Sequence, residues 1–348
     1  MSDQLLSNQI FSIVGTTATG KTSLALQIAD EIIRQDKAVG VTIISADSRQ
    51  VYKGLEVCSG SDVPPMWSIM TQFATACHGH PEFPIFLFGT SVLEPTAEWS
   101  VTHFRQYALP IIQQSFENGF SVIIVGGTGL YHEHLFSTDP LLDIPPNKEL
   151  RLAAALLSLD QLQEKVATDA SDAWSAMNDS DRYNPRRLIR ALEKAAGSDA
   201  PLASIHFPFN LSHLNHATLG IIDSPENLKN KIRNRVNERL QHGALDETTS
   251  LIRKYEDQLW KLAAFTSTGC KEIRMYLERQ IDIDQLKELW SRRELQYAKR
   301  QLTWWKTHQF ASSSPLFANK TKQWVDLSKN EQENWQTAVT QSCILALC

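Results

Sequence analysis

Five short apolar runs punctuate this chain, each of a length suited to one buried strand: Ile10 to Val14, Val41 to Ser45, Ile85 to Phe88, Ser121 to Val125 and Thr218 to Ile222. Amphipathic stretches separate them. Leu24, Ile28 and Ile32 recur at helical spacing between Ser23 and Ile33. A second helix is expected from about Val101 to Asn118, kinked at Pro110 and closed by Gly119. Strands alternating with helices predict βαβ units and an α/β fold, a parallel sheet with helices on both faces. Between Asp139 and Asn184 the strand pattern disappears and short helical segments take over, around Leu150 to Leu157, Leu162 to Ala167 and Ala173 to Met177. This predicts a helical insertion, entered at Pro145-Pro146, from which a helix of about Pro185 to Ala196 leads back to the sheet. From Pro225 to about His308 the pattern is helical, and Asp223-Ser224-Pro225-Glu226 reads as a helix start. The expected organisation is a core over 1–138, an insertion over 139–184, a second core part over 185–310 and a tail over 311–348, opened by a turn or linker at Ser312-Ser313-Ser314-Pro315.

With 348 residues, 42% hydrophobic and 21% charged, the chain has the composition of an ordinary soluble protein with a sizeable core. Its apolar runs fall short of the roughly 18 residues of a membrane span, and Met1 to Gln9 carries no basic residue, so neither a membrane anchor nor an export signal is expected. Five scattered cysteines without a C-x-x-C pair fit a reducing, cytoplasmic setting and no structural zinc. His132 and His134, and the run Cys77-His78-Gly79-His80, lack a second ligand cluster and read as ordinary side chains. The formal charge of -5 hides three basic clusters: Arg182 to Lys194, Lys229 to Arg239, and Arg292 to Lys306. Each alone is a common solvated helix face; three in one acidic chain point toward a polyanion.

The sharpest chemical signal is Gly15-Thr16-Thr17-Ala18-Thr19-Gly20-Lys21-Thr22, a G-x-x-x-x-G-K-T segment between a strand and a helix. That is a phosphate cradle, so the α/β core is expected to be P-loop NTPase-like. Backbone N–H groups of Gly15, Thr17, Ala18, Thr19 and Gly20 would turn on an anion, Lys21 would add a positive charge and the Thr22 hydroxyl would hold Mg2+. Two further groups sit at strand ends, where α/β sheets bind ligands: Ser45 to Gln50, and Gly126 to Tyr131. Asp47 can order water on Mg2+, act as a general base or cap the next helix. Thr128 offers a hydroxyl beside a helix N-terminus, or simply a tight turn. In the last long helix Arg293, Tyr297, Arg300 and Trp304 share one face, suited to single-stranded nucleic acid; Leu295, Ala298, Leu302 and Trp305 share another, suited to the core.

The order of these segments resembles the tRNA dimethylallyltransferases, also called tRNA isopentenyltransferases, over about residues 10 to 327. Beyond the phosphate loop, the resemblance is carried by Ser45 to Gly54, Trp99 to Arg105, Val125 to Tyr131, Arg182 to Glu193 and Tyr297 to Trp304. It implies transfer of a dimethylallyl group from its diphosphate to N6 of the adenosine immediately 3′ of the anticodon, with Mg2+ as cofactor and the insertion gripping the anticodon stem. By this resemblance Asp47 is the base, and Thr128, Lys21 and Arg151 serve the reacting groups. Asp47, Ser48, Arg49, Gln50, Arg186, Arg187 and Arg190 contact tRNA, and the basic Arg293 and Arg300 join them. A monomer that meets no membrane is expected.

Three places depart from the family pattern: Phe86-Leu87-Phe88-Gly89 replaces a His-His-Leu segment, Gly269-Cys270-Lys271-Glu272 replaces Gly-Tyr-Lys-Glu, and Cys58-Ser59-Gly60-Ser61 replaces a Gly-Thr-Ala-Lys-Pro-like run. The appended zinc finger of some eukaryotic members is absent. Two other readings compete: a P-loop kinase holding ATP in the same cradle, and a catalytically silent RNA-binding protein.

Overall fold

The five apolar runs form the parallel centre of one sheet in the computed structural model, which describes residues 9–142, 144–198, 215–307, 322–328 and 335–347. Along the chain, β1 (Gln9–Gly15) leads into α1 (Lys21–Arg34), and β2 (Gly40–Ser45) is followed by the short α2 (Glu56–Ser59). A hairpin of β3 (Ser68–Gln72) and β4 (Thr75–Gly79) precedes β5 (Ile85–Phe88), α3 (Val101–Glu117), β6 (Phe120–Gly126) and α4 (Gly129–Leu135). The insertion carries α5 (Lys148–Ala154), α6 (Leu159–Asp169), α7 (Ser171–Ala176), α8 (Asp179–Arg182) and α9 (Pro185–Ser198). The chain then supplies β7 (Asn215–Ile222), α10 (Pro225–Gln241), α11 (Ala244–Tyr255), α12 (Cys270–Leu277), α13 (Ile283–Thr307), β8 (Lys322–Asp326) and α14 (Trp335–Leu347).

The sheet order is β3-β4-β5-β2-β6-β1-β7-β8, antiparallel only at the β3/β4 and β4/β5 pairings. Alternation along each central strand divides the core into two layers, as the pleat requires. Phe11, Ile13, Val41, Ile43, Ile123 and Val125 face the layer that includes Leu24, Ile28 and Ile32 of α1. Ile10, Val14, Ile44, Val122 and Ile124 face Phe104, Ile111 and Ile112 of α3 and Trp305 of α13. Each such side chain, once buried, contributes roughly 1.5–3 kcal/mol. The α3 helix runs through Pro110 without ending, because its apolar face is buried against β6 and α4.

Four of these elements, β3, β4, β8 and α14, were not expected. The β3/β4 hairpin turns at Phe73 and Ala74, both with positive φ, residue types that do not announce a turn. Its outer strand exposes Ile69 and Met70, so it shows no burial alternation. Within the supposed tail, β8 pairs in parallel with β7, and α14 lays Trp335 and Val339 on the α1 side of the core. That part of 311–348 is therefore core rather than appendage; Ser312 to Pro315 lie outside the described residues.

The chain divides into two compact units, Met1–Phe136 with Phe207–Cys348, and Ser137–His206. The insertion is thus longer than 139–184, since α9 does not rejoin the sheet. Its Leu188, Ala191 and Leu192 pack with Leu162 and Val166 of α6 in the insertion's own core. Within that unit the buried Glu193 accepts hydrogen bonds from Asn147 N (3.0 Å), Arg151 Nε (2.7 Å) and Arg190 Nη1 (3.2 Å). Burial pushes this carboxyl up, but the Arg151, Asn147 and Arg190 donors outweigh it and hold it below its ordinary range.

Candidate active site

Because β2, β6 and β1 are sheet neighbours, the segments that follow them meet at one edge although they begin near residues 46, 127 and 15. The strand ends are level: Val14 is in register with Gly126, and Ser45 with Val125. The crossing is close, for a β-carbon on Gly126 would lie 2.2 Å from Ala46 O, and one on Gly15, at φ 141°, 2.2 Å from Ile221 O. No side chain fits at either place. Along this edge, with α10 and α13, runs a cleft of about 450 Å³.

The loop from Gly15 to Thr22 has the strand-to-helix setting its sequence predicts, joining β1 to α1. Gly20 caps α1 in the left-handed region with no side-chain cap, so the first N–H groups of the helix are left for an anion. Thr19 Oγ1 and Lys21 Nζ both donate to Thr16 O, at 2.8 and 2.6 Å. Burial first, and then the Arg235 charge, bring the Lys21 ammonium down to about 8, against opposing pulls from Asp47 and Asp62. One donor of the expected cradle is taken: Thr17 N–H donates to Gln301 Oε1 at 2.8 Å. The Thr17 hydroxyl instead accepts from Arg235 Nη1 at 3.1 Å.

Asp47 lines the cleft, and its Oδ1 accepts from the backbone N–H groups of Arg49 (2.8 Å) and Gln50 (3.3 Å). Asp47 does not cap a helix as expected, since the next helix, α2, starts at Glu56 with Leu55 as its N-cap; this oxygen holds a turn instead. The other, Oδ2, carries no hydrogen bond among the described residues. The Thr128 hydroxyl is buried and lies in hydrogen-bonding reach of the Tyr297 hydroxyl. Burial, and then the Asp47 charge, push the Tyr297 and Tyr131 phenols well up, so both stay protonated.

Thr22, Ser48, Arg293 and Arg300 also line the cleft. Arg293 and Arg300 therefore face it, and Trp304 packs on Gly129, so this side of α13 forms part of the cleft wall. Gln50, expected at tRNA, spends both ends of its amide internally, on Ser45 Oγ and Gly60 O. Arg49 Nη1 donates to Ala263 O at 2.9 Å. In the insertion unit, Arg186 is exposed, Arg187 pairs with Asp181, and Arg151 pairs with Glu193. Arg190, expected at tRNA, makes an internal tie here: Nη2 donates to the carbonyls of Leu141, Leu142 and Ile144.

Sequence reasoning passed over Arg235, Asp62 and Gln301 as site residues. Arg235 stood in a basic cluster and Gln301 in a family segment, but nothing local to either marks a cleft. Two of the departures from the family pattern turn out to be one feature: Cys58 and Cys270 share a fully buried core cluster, and the Cys270 thiol together with burial pushes the Cys58 thiol well up.

A family model described as IPP transferase matches residues 82–308, and one described as Isopentenyl transferase matches residues 8–67. The tRNA dimethylallyltransferase of Natranaerobius thermophilus is 30% identical over 312 residues, which span 88% of this chain and 86% of that protein. Among solved structures, the full-length tRNA isopentenylpyrophosphate transferase of Bacillus halodurans superposes with a TM-score of 0.60 at 24% identity, covering 98% of this chain and 97% of its own. A eukaryotic dimethylallyltransferase solved acting on tRNA gives 0.71 at 21% identity, covering 97% of this chain and 78% of its own. These two likenesses establish the fold.

Proposed function

The chain belongs to the IPP transferase family, and from that premise we propose that it transfers a dimethylallyl group from dimethylallyl diphosphate to N6 of the adenosine immediately 3′ of the anticodon in tRNA, releasing diphosphate. The observation that carries this reading is the meeting of Lys21, Arg235 and Asp47 in one cleft, with the Thr128 hydroxyl beside the cleft-lining Tyr297.

An exocyclic adenine amine is a weak nucleophile because its lone pair is delocalised into the ring, so positioning and a base must compensate. N6 attacks the allylic carbon, the carbon–oxygen bond breaks with its electron pair leaving on the diphosphate, and the N6 proton passes to Asp47 Oδ2. Lys21, Arg235 and the N-terminus of α1 take up the charge of the leaving anion. The Thr128 hydroxyl, buried beside the Tyr297 phenol, serves as a donor to the reacting groups. The Thr22 hydroxyl is a hard oxygen donor beside the loop and suits Mg2+, which when bound would neutralise diphosphate charge. A base seated in the cleft would displace water that could quench cationic character on the allylic carbon.

A base stacked in an anticodon loop must leave its stack to enter such a cleft, and phosphate anchors hold the loop while it does. Arg186 and Arg187 of the insertion, with Arg293 and Arg300, are the residues assigned to this. Arg151 is assigned to the diphosphate by resemblance alone. Among the described residues no helix is long and apolar enough to cross a membrane.

The deciding experiment incubates the protein with Mg2+, dimethylallyl diphosphate and unmodified tRNA and measures nucleoside masses. Added mass on adenosine is expected; transfer of the terminal phosphate of ATP to an acceptor, with RNA unaltered, would overturn the reading.

A further inference from the structure

Two guanidinium groups lie side by side over Gly60. A β-carbon there would sit 2.2 Å from Arg239 Nη2 and 2.3 Å from Arg235 Nη2, so the absence of a side chain makes their shared shelf. Both come from α10, one turn apart, yet their partners differ in kind. Arg235 reaches Thr17 Oγ1 in the phosphate loop at 3.1 Å, and Asp62 at 3.3 Å, whose side chain is 51% exposed. Arg239 Nη1 donates to Glu294 Oε1 at 2.7 Å, and both of these side chains are buried, 7% and 5% exposed. Thr268 Oγ1 donates to the same carboxylate oxygen at 2.7 Å, and the Arg239 guanidinium lies 5.8 Å over the Trp290 ring.

Like charges this close repel, and a new anion is drawn to the one whose counter-charge is weaker. Asp62 is solvated and its hold on Arg235 is long, so a phosphate oxygen can take its place. Glu294 is desolvated, short and supported by Thr268, so its hold on Arg239 is not readily exchanged.

We propose that Glu294 is a positioning residue for the diphosphate site: by closing Arg239 into a buried ion pair it withholds that charge from the ligand and leaves Arg235 as the arginine of α10 that meets the diphosphate. This rests on the diphosphate reading of the cleft given above. Its consequence is turnover, since a product anion gripped by one α10 guanidinium and Lys21 departs more readily than one gripped by both α10 guanidinium groups.

Inorganic pyrophosphate with Mg2+, titrated into the full chain by calorimetry, tests this without any transfer step. Glu294→Gln keeps the shape, removes the charge and frees Arg239. Pyrophosphate should then bind about tenfold more tightly, the scale of one added unit charge at intermediate dielectric, and kcat for transfer should fall together with KM for the donor. A folded Glu294→Gln protein with unchanged or weaker pyrophosphate binding overturns the proposal, since a merely structural glutamate would give that result. Should this variant not fold, Arg239→Met combined with Glu294→Leu decides, because an apolar pair commonly substitutes for a buried ion pair. Pyrophosphate affinity within about threefold of wild type supports a withheld arginine, and any larger loss overturns it by placing Arg239 on the anion. Failure of the wild-type protein to prenylate tRNA would count against the proposed reaction and leave these binding results to stand.

Discussion

Gln301 Oε1 accepts a hydrogen bond from the backbone N–H of Thr17 at 2.8 Å, across a sequence separation of 284 residues. The other end of the amide, Nε2, donates to Gly127 O at 3.1 Å. One side chain of α13 therefore sets the spacing between the phosphate loop and the strand end that carries Thr128. Gln301→Ala should remove both bonds, cost about 1–3 kcal/mol of stability, and raise KM for the prenyl donor several-fold while tRNA affinity changes little. Steady-state kinetics with a tRNA filter-binding assay separates the two effects; equal losses in both would show a general collapse of the edge.

Asp47 lines the cleft with its Oδ1 held by the backbone of the next turn, which leaves Oδ2 without a hydrogen bond among the described residues. Asp47→Asn keeps an oxygen for the turn and removes the base, so it is a cleaner change than Asp47→Ala. Single-turnover transfer should fall by roughly 10² to 10⁴ with tRNA binding retained. Near-normal transfer would assign the proton to another group.

Lys21 provides a pH signature. Its folded value, about 8, lies below the ordinary 10.5, so the ammonium form is the one disfavoured by folding. The charged lysine thus costs stability below about pH 8, and that cost fades as pH rises toward 10.5. For the donor the sign is opposite: kcat/KM should decline as pH rises through about 8, because the group that meets the phosphates loses its charge. Lys21→Ala should abolish this decline and impair donor use far more than tRNA binding, measured by pH-dependent kinetics.

Glu193 makes the insertion acid-sensitive. Its carboxyl is held below the ordinary 4.5 by three donors, so its contribution is complete above that pH and lost as pH falls through the depressed folded value. Glu193→Gln should destabilise the insertion by about 2–4 kcal/mol, because Arg151 and Arg190 lose a buried counter-charge. Hydrogen exchange at α5, α6 and α9 reads this locally; exchange that matches wild type at neutral pH would show that the arginines find other partners.

Affinity for tRNA should fall with salt, log K against log [salt] being linear for counterion release. The slope should be shallower than the count of basic residues suggests, since Arg190, Arg239 and Lys231 already hold internal partners. A flat salt dependence would remove the basic faces from the interface.

Composition and local pattern alone determined the parallel centre of the sheet, the phosphate loop and Asp47 and Thr128 at strand ends. Those features rest on interactions within a few residues: alternation at period two, helical spacing, and glycines where the backbone must turn. The family segments also placed Gln301 near the right helix without its purpose. What only the tertiary structure decided are the long-range pairings: Arg235 on Thr17, Arg239 on Glu294, Gln301 between two loops, and α9 in the insertion core. A basic residue on a helix has the same local spacing whether it points to water, to a carboxylate on another helix or into a cleft. The choice is made by which elements cross and how much water they exclude, and that energy belongs to the packed chain.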